Sequence, residues 1–378
     1  MATGVPATAD PTPSAAPSTA PASPATVVAP PEPPLPPLAS SPWPELAALF
    51  PGAILHGSGV WLQGRRTTAE RLLLLEGASL VLLALGGLVI YETGAARDLA
   101  GPAMVGIATG TGTFASSFLA NVYSTWAPPA GLGGPQRRLP RLVTALGYTY
   151  VADTQLDDHH FMTARIDGRL GGFHLGLDAV ISPSPGHEEL AARAGFRWFG
   201  PRATRELARD GSYLEPRFGV VSQRLARDGF VTRGLEAAID GRLDTQRWLP
   251  DVHGAFFQLS LGLARQWTEF DVPAANVTEP SSQLLVRSGF GLYIGARSMA
   301  TPALDGALPG GEVELYYDQR RDGLAGGIQT LGASSGFAGH AGLRAEYHVD
   351  ASWGLEALIE RGSTWVLGSA VSFRTGVP

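Results

Sequence analysis

From about residue 140 onward, hydrophobic and polar residues alternate with a period of two. In "GLRAEYHVD", 342–350, Leu343, Ala345, Tyr347 and Val349 share one face while Arg344, Glu346, His348 and Asp350 share the other. That is the spacing of a strand with one apolar side. "MTARIDGRL" (162–170), "FVTRGLEAAIDGRL" (230–243) and "FFQLSLGLARQW" (256–267) repeat it, as do 191–199, 284–297, 312–320 and 365–374. Twelve or thirteen such segments follow one another, each of roughly nine to fourteen residues, separated by turns rich in Gly, Pro, Asp and Ser.

Upstream the period changes. "RLLLLEGASLVLLALGGLVIY", 71–91, holds only Glu76 inside its apolar run, and 99–123, "LAGPAMVGIATGTGTFASSFLANVY", carries no charge. Each is long enough to cross a hydrocarbon layer of about 30 Å as a helix. The link "ETGAARD" makes them a hairpin, and Gly106 and Gly110 stand at the G-x-x-x-G spacing that lets helices approach in lipid. A pair of buried core helices, or of helices packed on another membrane element, is the alternative. The lead-in "FPGAILHGSGVWLQGRRTTAE" is punctuated by Pro51, Gly52, Gly57, Gly59 and Gly64, and places His56 among glycines, where a turn role is expected. It resembles the lead-in to a helical hairpin found in membrane-associated proteins of high-GC proteobacteria, which implies a membrane setting and no chemistry.

Which side of the alternating segments is oily decides the fold class. In a soluble sandwich the apolar face packs on a core; in a membrane barrel it meets lipid and the charged face lines the lumen. Four features favour the barrel. Hairpins follow without intervening helices, segment lengths suit tilted transmembrane strands, and Trp198, Trp267, Tyr317, Trp353, Trp365 and Phe373 lie near strand ends. The polar face also mixes both signs of charge. Its lumen-facing candidates are Arg165, Asp167, Arg169, Glu236, Asp240, Arg242, Arg344 and Glu346. Over about 235 residues the C-terminal part thus resembles the outer-membrane β-barrels of Gram-negative bacteria. The resemblance implies an even strand number, taken here as twelve, a lipid-bilayer environment, and barrel-assembly machinery that recognises the aromatic final strand, with Phe373 in that role. Five residues follow Phe373, a departure from the family's pattern.

The domains expected are a Pro/Ala-rich spacer over 1–44, a helical hairpin over 45–125, a Gly/Pro linker over 126–139 and a β-barrel over 140–376. The spacer holds 14 of the 30 prolines and two charges, Asp10 and Glu32. It cannot bury enough apolar surface to offset its ordering entropy, so it is expected to be disordered; a periplasmic partner reading its proline clusters is the functional alternative. "MATGVPATADPTP" has neither a basic n-region nor an apolar h-region, so no secretory signal is visible, which sits awkwardly with export. All 28 basic residues are arginine, and a net charge of −6 without an arginine run argues against nucleic acid. With no cysteine, disulfide frames and thiolate sites are excluded.

Candidate chemistry is sparse. "QLDDHHF" brings Asp157, Asp158, His159 and His160 to the first hairpin loop, a weak rim site for a metal or for proteolysis, because adjacent strand residues point to opposite sides. "GASSG", 332–336, matches G-x-S-x-G around Ser334, but strand, not helix, follows it. No catalytic set, metal site or cofactor is expected. The reading is an outer-membrane barrel with a structural, binding or narrow-pore role; a barrel protease or lipid hydrolase and an autotransporter-like translocator are the alternatives.

Overall fold

The computed structural model describes residues 42–94, 97–126, 134–136, 138–152, 159–183, 186–225, 230–249, 252, 254–270, 279–295, 310–320, 324 and 339–376. Most of the Pro-rich segment therefore lies outside the described residues. Two short helices, α1 (Trp43–Leu49) and α2 (Ser58–Leu62), lead into two long ones, α3 (Arg66–Thr93) and α4 (Arg97–Trp126). At 1.5 Å per residue, the 28 residues of α3 reach about 42 Å, and the helix ends at left-handed Gly94, whose N–H caps the Ile90 carbonyl. The most apolar 18-residue stretch has a mean hydropathy of 2.3 in α3 and 1.2 in Leu99–Trp126.

The two long helices pack on each other, with close approaches at Gly86 of α3 and at Gly110 of the G-x-x-x-G pair. A Cβ at Gly110 would stand 2.8 Å from the Ser79 carbonyl oxygen and 2.9 Å from the Leu83 backbone. Only glycine allows that separation.

The strands are β1 (Leu142–Ala152), β2 (His160–Leu170), β3 (Phe173–Ile181), β4 (His187–Phe196), β5 (Tyr213–Leu225), β6 (Phe230–Asp244), β7 (Ala255–Phe270), β8 (Glu279–Gly295), β9 (Gly310–Asp318), β10 (His340–His348), β11 (Trp353–Arg361) and β12 (Trp365–Thr375). A four-residue helix, α5 (Thr245–Trp248), joins β6 to β7. Every strand is antiparallel to its neighbours, and β1 closes on β12 from Leu142↔Thr375 to Ala152↔Trp365. Closure leaves no sheet edge to be satisfied, which is what a sheet in lipid requires.

Alternation assigns the two faces of the wall. Leu146 (70% exposed), Leu170 (77%), Leu175, Leu177, Phe218, Leu235 and Leu355 point outward, the display of apolar surface that suits hydrocarbon. Their neighbours in sequence point inward. Trp353 and Phe373, opposite each other on β11 and β12, bring their rings to 5.0 Å at one rim, where aromatic side chains suit the boundary between lipid and water.

The helical pair sits against the outside of this wall. Ser288 of β8 bonds the Ala108 carbonyl, Gly112 abuts the Phe257 ring of β7, and Leu284 reaches Gly101. As a result Val286, on the outer face of β8, is only 2% exposed, and Leu259 and Leu261 of β7 are partly covered too. Alternation alone would give all three to lipid; the helix takes its place. β6, β7 and β8, of 15, 16 and 17 residues, are the longest strands beside it. Below α4, Val60, Leu72 and Ala120 form one cluster with Leu249, Val252 and Ala255, tying the foot of the hairpin to the β6–β7 connection.

Candidate functional site

The barrel interior holds the largest concentration of charged side chains. The inner face of β2 presents Arg165, Asp167 and Arg169. Arg165 reaches across the inside, past β1 and β12, to Glu356 of β11: its Nη2 lies 2.5 Å from Oε1 and its Nη1 3.2 Å from Oε2. Its Nε also pairs with Asp167 at 3.1 Å. Arg344 of β10 approaches the same Glu356 at 3.2 Å and Glu346 at 3.5 Å. Two guanidiniums from different walls thus converge on one carboxylate.

Around the barrel the arrangement continues. His174 of β3 bonds Asp167 through Nε2 at 3.0 Å and Glu215 of β5 through Nδ1 at 2.9 Å, while Arg197 holds the other oxygen of Glu215 at 2.7 Å. Arg217 pairs with Asp240 at 3.0 Å, and Arg320 binds Glu236 with both Nη atoms at 2.5 and 2.9 Å. Arg242 reaches past β7 and β8 to Glu312 at 2.6 Å and lies over the Phe256 ring at 3.5 Å. Tyr316 of β9 donates to Glu360 of β11 at 2.5 Å, which His340 also approaches at 3.4 Å. Charges taken from water are tolerated only when paired and hydrogen-bonded in this way. Partners such as Arg320 with Glu236, or Arg165 with Glu356, lie far apart in the chain, so periodicity revealed the inner face and not the pairing.

The mouths differ. At the one holding the barrel's two ends, residues 134–136 of the linker lie inward of the rim: Pro135 and the Tyr293 hydroxyl both lie against Gly211, and the Leu139 N–H bonds the Arg202 carbonyl at 3.1 Å. With its amide oxygen turned toward them, Gln136 accepts from His348 Nε2 at 2.7 Å and from Arg374 Nη1 at 2.8 Å. At the other mouth Val151, Phe161 and Val366, all but fully buried, form an apolar collar with Val180, and Leu324 packs against it.

Of the candidate rim residues, the two described histidines take different partners. His160 faces outward and contacts the Tyr148 hydroxyl, whereas His159 bonds the Val151 carbonyl at 2.9 Å. Asp157, Asp158 and the "GASSG" segment lie outside the described residues. No cluster of metal-ligating side chains occurs among the described residues.

A second polar constellation lies in the helical module. His56 is fully buried; its backbone N–H donates to Glu76 Oε2 at 2.8 Å, its ring Nδ1 bonds Ser117 Oγ, and its ring lies tilted against Phe114 with centroids 4.4 Å apart. Ser117 donates to the Phe114 carbonyl at 3.2 Å, so Nδ1 carries the proton and Nε2 is left without a partner. Burial holds the imidazole pKa down to about 4, so it is neutral. The set clasps α3, α4 and the lead-in loop together and offers no access to a substrate. A lone histidine among glycines reads as a turn residue; the signal for this clasp was Glu76 in the middle of an oily helix.

The sequence matches no protein-family model and no curated protein. Solved structures similar to this chain include the KdgM porin in complex with oligogalacturonate (10% identity over 61% of this chain and 98% of that one, TM-score 0.34). The NanC porin is similar at 7% identity, 61% and 98% coverage and a TM-score of 0.34. The translocator domain of the autotransporter NalP from Neisseria meningitidis follows at 11%, 62%, 87% and 0.35. Likeness at this level carries no information on activity. The closed twelve-stranded wall, apolar outside and charged within, is itself the architecture of a Gram-negative outer-membrane β-barrel, here with a helical hairpin on its outer face.

Proposed function

We propose that the interior is a narrow, ion-pair-lined passage for small polar solutes across the outer membrane. The observation that carries this reading is the convergence of Arg165 and Arg344 on Glu356, which draws charged side chains across the lumen. A twelve-stranded barrel lies between eight-stranded barrels filled by their side chains and the open channels of sixteen or more strands. Interior arginines such as Arg165 and Arg217 keep about a quarter of their side-chain surface exposed, so the network is hydrated and not sealed. Linker contacts at one mouth and the apolar collar at the other narrow the path further. The bilayer is the surrounding medium, and the outward Phe373 on the final strand fits recognition by barrel-assembly machinery.

Planar-bilayer recording of the full chain tests the reading. Small, infrequent steps are expected, enlarged by the double change Arg165→Ala with Glu356→Ala. A large, steady, weakly selective conductance in the unaltered protein would overturn it.

A further inference from the structure

We propose that Arg169 is the cationic centre of a small-oxyanion site inside the barrel, just within the mouth that holds the barrel's two ends. Its ligand is the carboxylate or phosphate group of a small solute. The proposal rests on the reading of the interior as a passage only for the route by which that solute arrives.

Arg169 differs from the other inner-face arginines of its neighbourhood. Its backbone is pinned, the N–H donating to the Arg141 carbonyl at 2.7 Å, and its side chain projects inward beside His174, its register partner on β3. Among the described residues its guanidinium makes no ion pair; its Nε is buried without a hydrogen-bond partner, as are those of Arg165 and Arg193, but those two arginines hold carboxylates through other atoms. Asp167 and Glu215, the carboxylates whose charge acts most strongly on it, are both committed elsewhere. Asp167 takes Arg165 and His174; Glu215 takes His174 and Arg197.

The surplus is visible in the local charge. Arg165, Arg197, Arg344 and Arg374 stand against Asp167, Glu215, Glu346 and Glu356, four cations to four anions, each engaged. Arg169 is the fifth cation and, among the described residues, has no counterpart. His174, donating to two carboxylates, adds to the excess whenever both ring nitrogens are protonated.

A guanidinium in a partly dehydrated interior is unfavourable without a counter-charge. It offers parallel N–H donors that match the two oxygens of a carboxylate or phosphate. Nearby carboxylates already held by other cations cannot swing over to quench it, so the position stays open for a visiting anion. No such asymmetry exists at Arg242, Arg287 or Arg320, whose own carboxylates lie within 2.5–2.8 Å.

Calorimetric titration of the detergent-solubilised full chain with inorganic phosphate, and separately with acetate, tests the site at low ionic strength. Saturable phosphate binding is expected in the unaltered protein, with weaker binding of acetate. Arg169→Gln should lose about tenfold or more in affinity, the effect of removing a charge-assisted hydrogen bond. Arg233→Gln, on the outer wall and paired there with Glu269 at 2.9 Å, should leave binding unchanged. Absence of saturable binding of both anions, or equal affinity in Arg169→Gln, overturns the proposal. If Arg169→Gln fails to give a heat-modifiable folded band, Arg169→Lys decides. Loss of the planar fork should weaken phosphate several-fold, and an unchanged affinity removes the assignment to this guanidinium. Bilayer recording on the same preparations separates the two readings: binding without conductance would overturn the passage and leave the anion site standing, and conductance without binding the reverse.

Discussion

Ser288 on the outer wall of β8 donates its hydroxyl to the Ala108 carbonyl of α4 at 3.0 Å, a polar bond made on a largely apolar face of the barrel. It joins the two halves of the chain at mid-height of the wall, and Gly112 one turn away lets the helix backbone reach it.

Ser288→Ala should therefore loosen the hairpin by about 1 kcal/mol, the usual worth of one hydrogen bond. Gly112→Val puts a side chain onto the Phe257 ring, and overpacking of this kind costs about 1–3 kcal/mol. Proteolysis of α3 and α4 in folded protein measures the effect; equal protection in Gly112→Val and the unaltered chain would show that the helices are held by something other than this wall.

The outer face can be tested where no helix covers it. Leu177, half exposed on β3 between Ile166 and Ala192, should cost about 2–4 kcal/mol when changed to Arg if it lies at the bilayer midplane. Urea titration of protein folded into vesicles gives the value. A variant as stable as the parent would mean that this row meets water.

Within the barrel, Arg165→Gln and Glu356→Gln should prove strongly non-additive, because both remove the same bidentate bond. A coupling energy of about 1–3 kcal/mol is expected from a double-mutant cycle. Glu356→Gln alone should be the more damaging, since Arg344 loses its acceptor as well.

The helical module should weaken in mild acid. His56 is held neutral with its pKa lowered to about 4 from an ordinary 6.5. As pH falls through 6.5 the unfolded chain takes up a proton that the folded one refuses. Stability present above pH 6.5 is then lost progressively down to about pH 4, by roughly 3 kcal/mol in total for a difference of this size. Following the protection of α3 against protease across that range checks the slope, which His56→Asn should largely abolish.

Much of this architecture was legible in the sequence because a barrel strand writes its two environments into alternate residues. "GLRAEYHVD" and "MTARIDGRL" each declare a face, and the two oily runs declare helices; the observed helices exceed the expected 71–91 and 99–123 by a few residues at each end. What was hidden lies in long-range contacts. Leu261 and Val286 are as apolar as any lipid-facing residue, so nothing in them announces a covering helix; only Ser288 and Gly112, polar or small where oil would serve, hint at it. The partner of His56 is 61 residues away in Ser117, and Glu356 meets Arg165 over 191, distances at which periodicity is silent.

A helix fixed along β7 and β8 also gives the barrel a front and a back. Most outer-membrane barrels can turn any side of their wall toward a neighbour; this one has surrendered one side to its own hairpin, so lateral encounters must either use the uncovered strands or pass through α3. Crowding in the membrane plane is thereby converted into orientation, with the foot of the hairpin near the β6–β7 connection marking the same direction on every copy.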